Sequence, residues 1–259
     1  MMVLQATNLT RVYSNERGGS LHRALDAFHL TVERGEFVGV MGPSGSGKTT
    51  LLQLLGTMDQ PTYGEVRFGG KSLSGLSLDQ LREFRRRHLG FIFQEFHLLH
   101  SLTLRENIML PLILETAVPE EVDERVHTVA SQLGIEEILN KHPYEVSGGQ
   151  QQRAAAARAL VHRPDLVLAD EPTGNLDSRS ARTLMESLEK MNQTEKATIL
   201  MVTHDAVSAS YCKRILFIKD GKLWTEIHQG EERRAFYRRI LTVVSALGGE
   251  TLGFLDSGI

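Results

Sequence analysis

Cysteine is almost missing from this chain: there is one, Cys212, in 259 residues. An intrachain disulfide and a cysteine-built metal site are thereby excluded, and a reducing, cytoplasmic setting fits. No apolar run reaches the ~18–20 residues that a membrane-spanning helix needs. Met1 to Ala6 lacks the basic flank and long apolar core of a secretory signal, so none is expected. Charge of one sign is lacking too. Lys and Arg number 29 against 32 Asp and Glu, a net charge of −3, and no overall field draws the chain to nucleic acid or an anionic bilayer. The one basic cluster, Arg82-Glu83-Phe84-Arg85-Arg86-Arg87-His88, lacks the interleaved aromatics of a stacking platform and reads as a solvated helix face. The histidines, His97 and His100 among them, show no metal-ligand spacing. No repeat or low-complexity segment is present. Any membrane role must therefore pass through a partner.

With 41% hydrophobic residues, the chain can bury one large domain or two small ones. Residues 1–41 read as short strands and turns, with Val38-Gly39-Val40-Met41 a buried strand running into a glycine-rich loop. Thr49 to Leu55 has an apolar face and no breaker before Gly56, which predicts a helix. From about 79 to 162 the pattern is helical. Segment 119–133 opens on proline and acids, His142-Pro143-Tyr144 is a break, and Gln150 to Leu160 is alanine-rich. Strand patterns return at Leu166–Ala169, Thr198–Val202 and Ile215–Ile218, with a helix near 178–192. Strands alternating with helices predict a mainly parallel sheet, with the helical block inserted between two halves of one α/β core. Glu231 to Leu247 can form an amphipathic helix ending at Gly248-Gly249.

Residues 42–49, Gly-Pro-Ser-Gly-Ser-Gly-Lys-Thr, fit G-x-x-x-x-G-K-[ST] between a strand and a helix. Glycines let backbone N–H groups converge on phosphate oxygens, Lys48 would reach the β and γ phosphates, and the Thr49 hydroxyl would ligate Mg²⁺. Leu166 to Ala169 runs into Asp170 and Glu171. Carboxylates at that strand end sit beside the phosphate loop in such sheets. Asp170 would hold Mg²⁺, and Glu171 would take a proton from the attacking water. An acid pair there can also be a solvated cap for the next helix. Ser147-Gly148-Gly149-Gln150 can cap the alanine-rich helix and let an anion approach, or be only a cap with a hinge. His204 lies at a strand's carboxyl end, where it can bond a γ-phosphate. Gln94 follows Phe91-Ile92-Phe93, and an amide at that strand end could touch Mg²⁺ and water. Tyr13 could stack on adenine or merely pack its loop.

Taken in order, these motifs resemble the nucleotide-binding subunit of an ATP-binding cassette (ABC) transporter over roughly residues 3–225. The resemblance implies a P-loop NTPase fold: a RecA-like core with a mainly parallel sheet, a small antiparallel β subdomain, and an inserted helical subdomain at about 95–163. It implies that Tyr13 stacks on adenine and that Gly42, Ser44, Gly45, Ser46, Gly47, Lys48, Thr49 and Thr50 bind the phosphates. Gln94 becomes the loop glutamine that senses Mg²⁺ and the permease, and His204 the switch histidine. Residues 147–151 become the family signature, and Asn175-Leu176-Asp177 the loop that crosses a head-to-tail dimer. There, ATP on Lys48 of one chain meets Ser147, Gly149 and Gln150 of the other, with Asp177 nearby. Val146 stands where leucine is usual, and Gly174-Asn175-Leu176-Asp177 where Ser-Ala-Leu-Asp is common; neither removes a catalytic group.

Phe91-Ile92-Phe93-Gln94, Leu98-Leu99, Glu106-Asn107-Ile108 and Ala169 to Asp177 are similar to the group serving macrolide exporters, lipoprotein-releasing complexes and peptide-antibiotic resistance transporters. Thr203 to Cys212 and Phe217 to Gly221 look most like the bacitracin-resistance (Bce-type) ATPases. So does the C-terminal extension over 226–259, with Phe236-Tyr237 and Gly248-Gly249. The resemblance implies a homodimer on the cytoplasmic face of the cell membrane. Its partner would be an integral permease with a large extracytoplasmic domain, through which a sensor kinase could be addressed. Lipoprotein release or macrolide export is the alternative cargo. A soluble cassette ATPase and a regulatory coupler without transport are readings of another class. The extension is either a docking helix against a partner or a brace at the dimer edge.

Overall fold

The computed structural model describes residues 1–14, 21–114 and 119–248. The chain opens with two long strands, β1 (Met2–Ser14) and β2 (Leu21–Glu33), paired antiparallel. The sequence predicts short strands and turns here. The pairing shifts register between Ala6 and Leu9 and again at Arg11, and such bulges break the strict alternation that marks a long strand. Where alternation is clean, at Phe28 to Glu33, residues are buried and exposed in turn. Strands β3 (Phe37–Met41), β4 (Tyr63–Phe68) and β5 (Lys71–Ser72) follow, with helix α1 (Lys48–Leu55) after β3. The antiparallel sheet has the order β2-β1-β4-β5.

Helix α2 (Leu78–His88) carries the basic cluster and runs directly into β6 (Leu89–Ile92). That strand interrupts the stretch that the sequence marks as helical, and it is the strand end read at Phe91-Ile92-Phe93; four residues abutting a helix are too few for periodicity to fix their bounds. Its basic face is partly tied down: Arg85 donates to the Thr57 carbonyl (2.8 Å) and Arg86 to that of Leu114 (3.0 Å). Between β6 and the next strand lie α3 (Leu104–Ile113), α4 (Pro119–Gln132), two 3-10 turns and α5 (Gly148–Leu160). Glu106-Asn107-Ile108 proves to be architecture. Glu106 closes a capping box with Thr103, buried Asn107 bonds the backbone of Leu99, Leu102 and Thr103, and Ile108 enters the core.

The remaining elements are β7 (Leu166–Asp170), α6 (Ser178–Glu195), β8 (Ile199–Val202), α7 (Ala206–Ala209), β9 (Arg214–Lys219), β10 (Lys222–His228) and α8 (Arg233–Leu247). The second sheet has the order β10-β9-β3-β8-β7-β6, parallel throughout except for β10 on β9. Side chains alternate across it. Val38, Val40, Leu168, Leu200 and Leu216 pack with α1 and the antiparallel sheet. Phe37, Val167, Met201, Ile215 and Phe217 pack with α3 to α6 and with Phe236 and Ile240 of α8. Helix α8 ends at Gly248 as the sequence indicates; Gly249 and the rest of the extension to 259 lie outside the described residues.

Candidate active site

Strand β3 delivers the chain into the phosphate loop. Gly47 has φ +102°, and a Cβ there would sit 2.3 Å from the Ala24 carbonyl oxygen; a Cβ on Gly42 would sit 2.2 Å from that of Ile218. Neither position admits a side chain. Helix α1 then starts with no side-chain cap and no acid in its first turn, so its leading N–H groups are left for an anion. The Lys48 ammonium folds back to donate to the carbonyls of Gly42 (2.8 Å) and Pro43 (2.9 Å). Burial pushes it below its ordinary range, opposed by the charges of Glu171 and Asp170. Thr49 is exposed, and Ser46 is buried with its hydroxyl unpartnered.

Asp170 ends β7 in register with Val202 of β8. Burial raises its pKa, the neighbouring Glu171 adds to this, and Lys48 opposes. Glu171 leaves the strand at φ +47°, a left-handed conformation that costs a non-glycine residue on the order of 1 kcal/mol. Its carboxylate accepts from the His204 N–H (3.3 Å) and meets His204 Nδ1 at 2.9 Å. The Glu171 side chain is only 16% exposed against 72% for His204, so the acid is sheltered and the ring stands in solvent. An ionised carboxylate only accepts, so Nδ1 carries the proton. A neutral ring then has no N–H left for a phosphate, and donating to both needs the imidazolium. Asp205 caps α7 through the N–H groups of Val207 and Ser208, which sets the backbone beside His204.

Gln94 is exposed after β6, and its amide donates to Asn175 Oδ1 (3.2 Å) while Asn175 Nδ2 donates to the Gln94 carbonyl (3.1 Å). Gly174 allows this approach, since a Cβ there would lie 2.9 Å from Gln94 Nε2. Ser147 caps α5 in a reciprocal box with Gln150. Gly149 is buried, and a Cβ there would meet Ser180 Oγ of α6 at 2.5 Å, an intramolecular reason for that glycine. Asp177 caps α6, accepting from the N–H groups of Arg179 and Ser180 and from the Ser180 hydroxyl. Bonds from Ser180 hold its carboxyl below the ordinary range. The Tyr13 hydroxyl donates to Asp59 (2.9 Å), and Arg11 lies 4.5 Å from the ring centroid.

The fold thus gathers Lys48, Asp170, Glu171 and His204 at the carboxyl ends of β3, β7 and β8, with Gln94 bridged to the 174–177 loop. No described hydrogen bond or ion pair joins Ser147 to Gln150 with the phosphate loop. A cavity of about 650 Å³ runs from Glu171 and His204 past α7 to Arg233 and Tyr237 of α8. Sequence reasoning passed over Gln152, which is fully buried on α5; its place as the third of three glutamines just before the alanine run was its only signal. Among the described residues no group of three His, Cys, Asp or Glu could hold a metal; one or two protein oxygens together with substrate phosphates can hold a divalent ion instead. The uncapped α1 start, the Thr49 hydroxyl and the Asp170 carboxylate fit such a pairing.

A phosphate loop, strand-end acids and an inserted helical layer define a nucleotide-hydrolysing cassette. The family model described as "ABC transporter" matches residues 25–174. The ABC transporter ATP-binding protein YvcR of Bacillus subtilis is 56% identical over 250 residues, covering 96% of each chain. The bacitracin export ATP-binding protein of Halalkalibacterium halodurans is 47% identical over 250 residues, covering 96% of this chain and 98% of its own. A dimeric ATP-binding cassette of Methanocaldococcus jannaschii, in a post-hydrolysis state bound to ADP and Pi, superposes with a TM-score of 0.80 at 39% identity, covering 88% of this chain and 99% of that one. The chain belongs to the ABC transporter family, as an ATP-binding subunit that hydrolyses ATP with Mg²⁺ and works with a membrane permease.

Proposed function

We propose that two copies of this chain close head to tail around two ATP molecules and drive a permease that confers resistance to peptide antibiotics such as bacitracin. The observation that carries the cargo reading is the 47% identity, over nearly the whole of both chains, to a bacitracin export ATPase. Lys48 exchanges its two loop carbonyls for phosphate oxygens, the N–H groups of Gly45 to Thr50 surround them, and Tyr13 stacks on the adenine. Thr49, Asp170 and Gln94 would hold Mg²⁺, which when bound neutralises charge on the β and γ phosphates. Glu171 takes the proton of the attacking water, and His204 orients Glu171 while donating to the γ-phosphate. Ser147, Gly149 and Gln150 of one copy complete the site of the other, beside Asp177.

We place the cassette over residues 1–225, with its helical arm at about 95–163. The permease seat is the groove beside the Gln94 loop, where Phe91, Phe93, Leu110 and Leu114 adjoin Arg82 and Arg86. The permease carries a large extracytoplasmic domain, can address a sensor kinase, and holds this chain at the membrane; among the described residues no helix is long and apolar enough to cross one. Deleting the chain should lower the bacitracin concentration that stops growth, and the Glu171→Gln chain should fail to restore it. Unchanged bacitracin tolerance with altered macrolide tolerance would favour the second reading, which the 42% identity over 221 residues to a macrolide export protein supports.

A further inference from the structure

Gln152 stands on the second turn of α5, fully buried. Its amide nitrogen donates to the carbonyls of Phe93 (2.9 Å) and Pro172 (2.6 Å). Two carbonyls can only accept, so the NH₂ end must face them. The amide oxygen is left in the interior with no hydrogen-bond partner, an arrangement that costs stability. The two carbonyls flank the chemistry: Phe93 precedes Gln94, and Pro172 follows Glu171. The same helix grips the far side of the Gln94 loop, where Arg158 donates to the carbonyls of Phe96 (3.1 Å) and His97 (2.6 Å). At the start of α5 stands Ser147, five residues and about 7.5 Å of helix rise from Gln152.

We propose that Gln152 is a positioning residue that couples the two nucleotide sites of the dimer. The inference rests on the head-to-tail reading, in which Ser147 meets the nucleotide of the other copy. A packed helix moves as a unit, so a displacement of its start by that nucleotide reaches the Gln94 loop and Glu171 of its own chain through the Gln152 amide.

The test uses the full chain with Gln152→Leu and Gln152→Glu. The parent is expected to hydrolyse ATP with a Hill coefficient above about 1. Gln152→Leu should keep KM within about two-fold, lose kcat by roughly 10- to 100-fold, and bring the Hill coefficient to about 1. Gln152→Glu covers the case in which the leucine variant does not fold. Its ionised carboxylate cannot donate, whereas the protonated form has one O–H for one carbonyl, so its rate relative to the parent should rise as pH falls. A non-cooperative parent, a Gln152→Leu chain with the parent's kcat and Hill coefficient, or a flat Gln152→Glu ratio overturns the coupling role. Size-exclusion of Glu171→Gln with ATP separates the two ideas: no dimer with Gln152 intact overturns both, while a dimer with cooperativity untouched by Gln152→Leu overturns this one alone.

Discussion

At the scale of single residues, the site is a set of groups each held by a neighbour it must give up or keep. Lys48 is stored on two carbonyls of its own loop. Replacing it with alanine removes the charge that phosphates would recruit. An ATP concentration of 100 Kd should stabilise the parent by about 2.7 kcal/mol and the Lys48→Ala chain by far less, which thermal shift with and without ATP will check. Glu171 is sheltered and fixed by His204. Glu171→Gln keeps the shape and loses the proposed base, so turnover should fall by roughly 10²–10⁴ while ATP binding persists. An unchanged single-turnover rate would refute that role.

Elements carry the next level of explanation. Asp165, just before β7, accepts from Arg34 (2.6 Å) and meets His88 Nδ1 at 2.8 Å. It thereby ties the turn after β2 and the end of α2 to the start of β7. Burial alone would raise its pKa, but the bonds from His88 and Arg34 hold it below the ordinary carboxylate range. A depressed carboxylate contributes stability above its unfolded pKa and loses it as pH falls through the folded value. Asp165→Asn should therefore destabilise at pH 7 by up to about 1 kcal/mol, a partly exposed pair being screened. The difference should begin to shrink as pH falls below about 4 and vanish only once pH is below the depressed folded value, read by urea unfolding across pH. Gly47→Ala faces both a positive φ and the Ala24 carbonyl, and is expected to abolish nucleotide binding even where the chain still folds.

For the molecule as a whole, one sheet with two covered faces sets the geometry. Strands β3, β7, β8 and β9 send alternate residues to two separate cores, so their carboxyl ends stay in line and the loops that follow converge. Helix α8 belongs to the second core through Phe236 and Ile240. Arg233 bonds Glu189 of α6 and lies 4.0 Å from the centroid of Tyr211. Phe236→Ala should cost about 3–5 kcal/mol in chemical unfolding, because the extension is packed into the cassette. A loss under 1 kcal/mol would mean that α8 is an appendage.

The sequence by itself determined the glycine-rich loop, the strand-end acids and the parallel core. A steric demand for glycine at fixed spacing and an apolar strand closed by a carboxylate are local requirements, written in adjacent residues. Long-range partners were not legible. Asn175 gains its meaning from Gln94, 81 residues away in sequence, and Gly149 from Ser180 on a later helix. The bulges of β1 hid the length of a strand, and the four residues of β6 showed only a strand end, because pairing rather than local pattern sets such bounds. Gln152 looked like one more residue of an alanine helix until the fold brought the carbonyls of Phe93 and Pro172 against its amide. Tertiary structure decided these because a buried polar group is defined by where its partners fold, and those partners lie far apart along the chain.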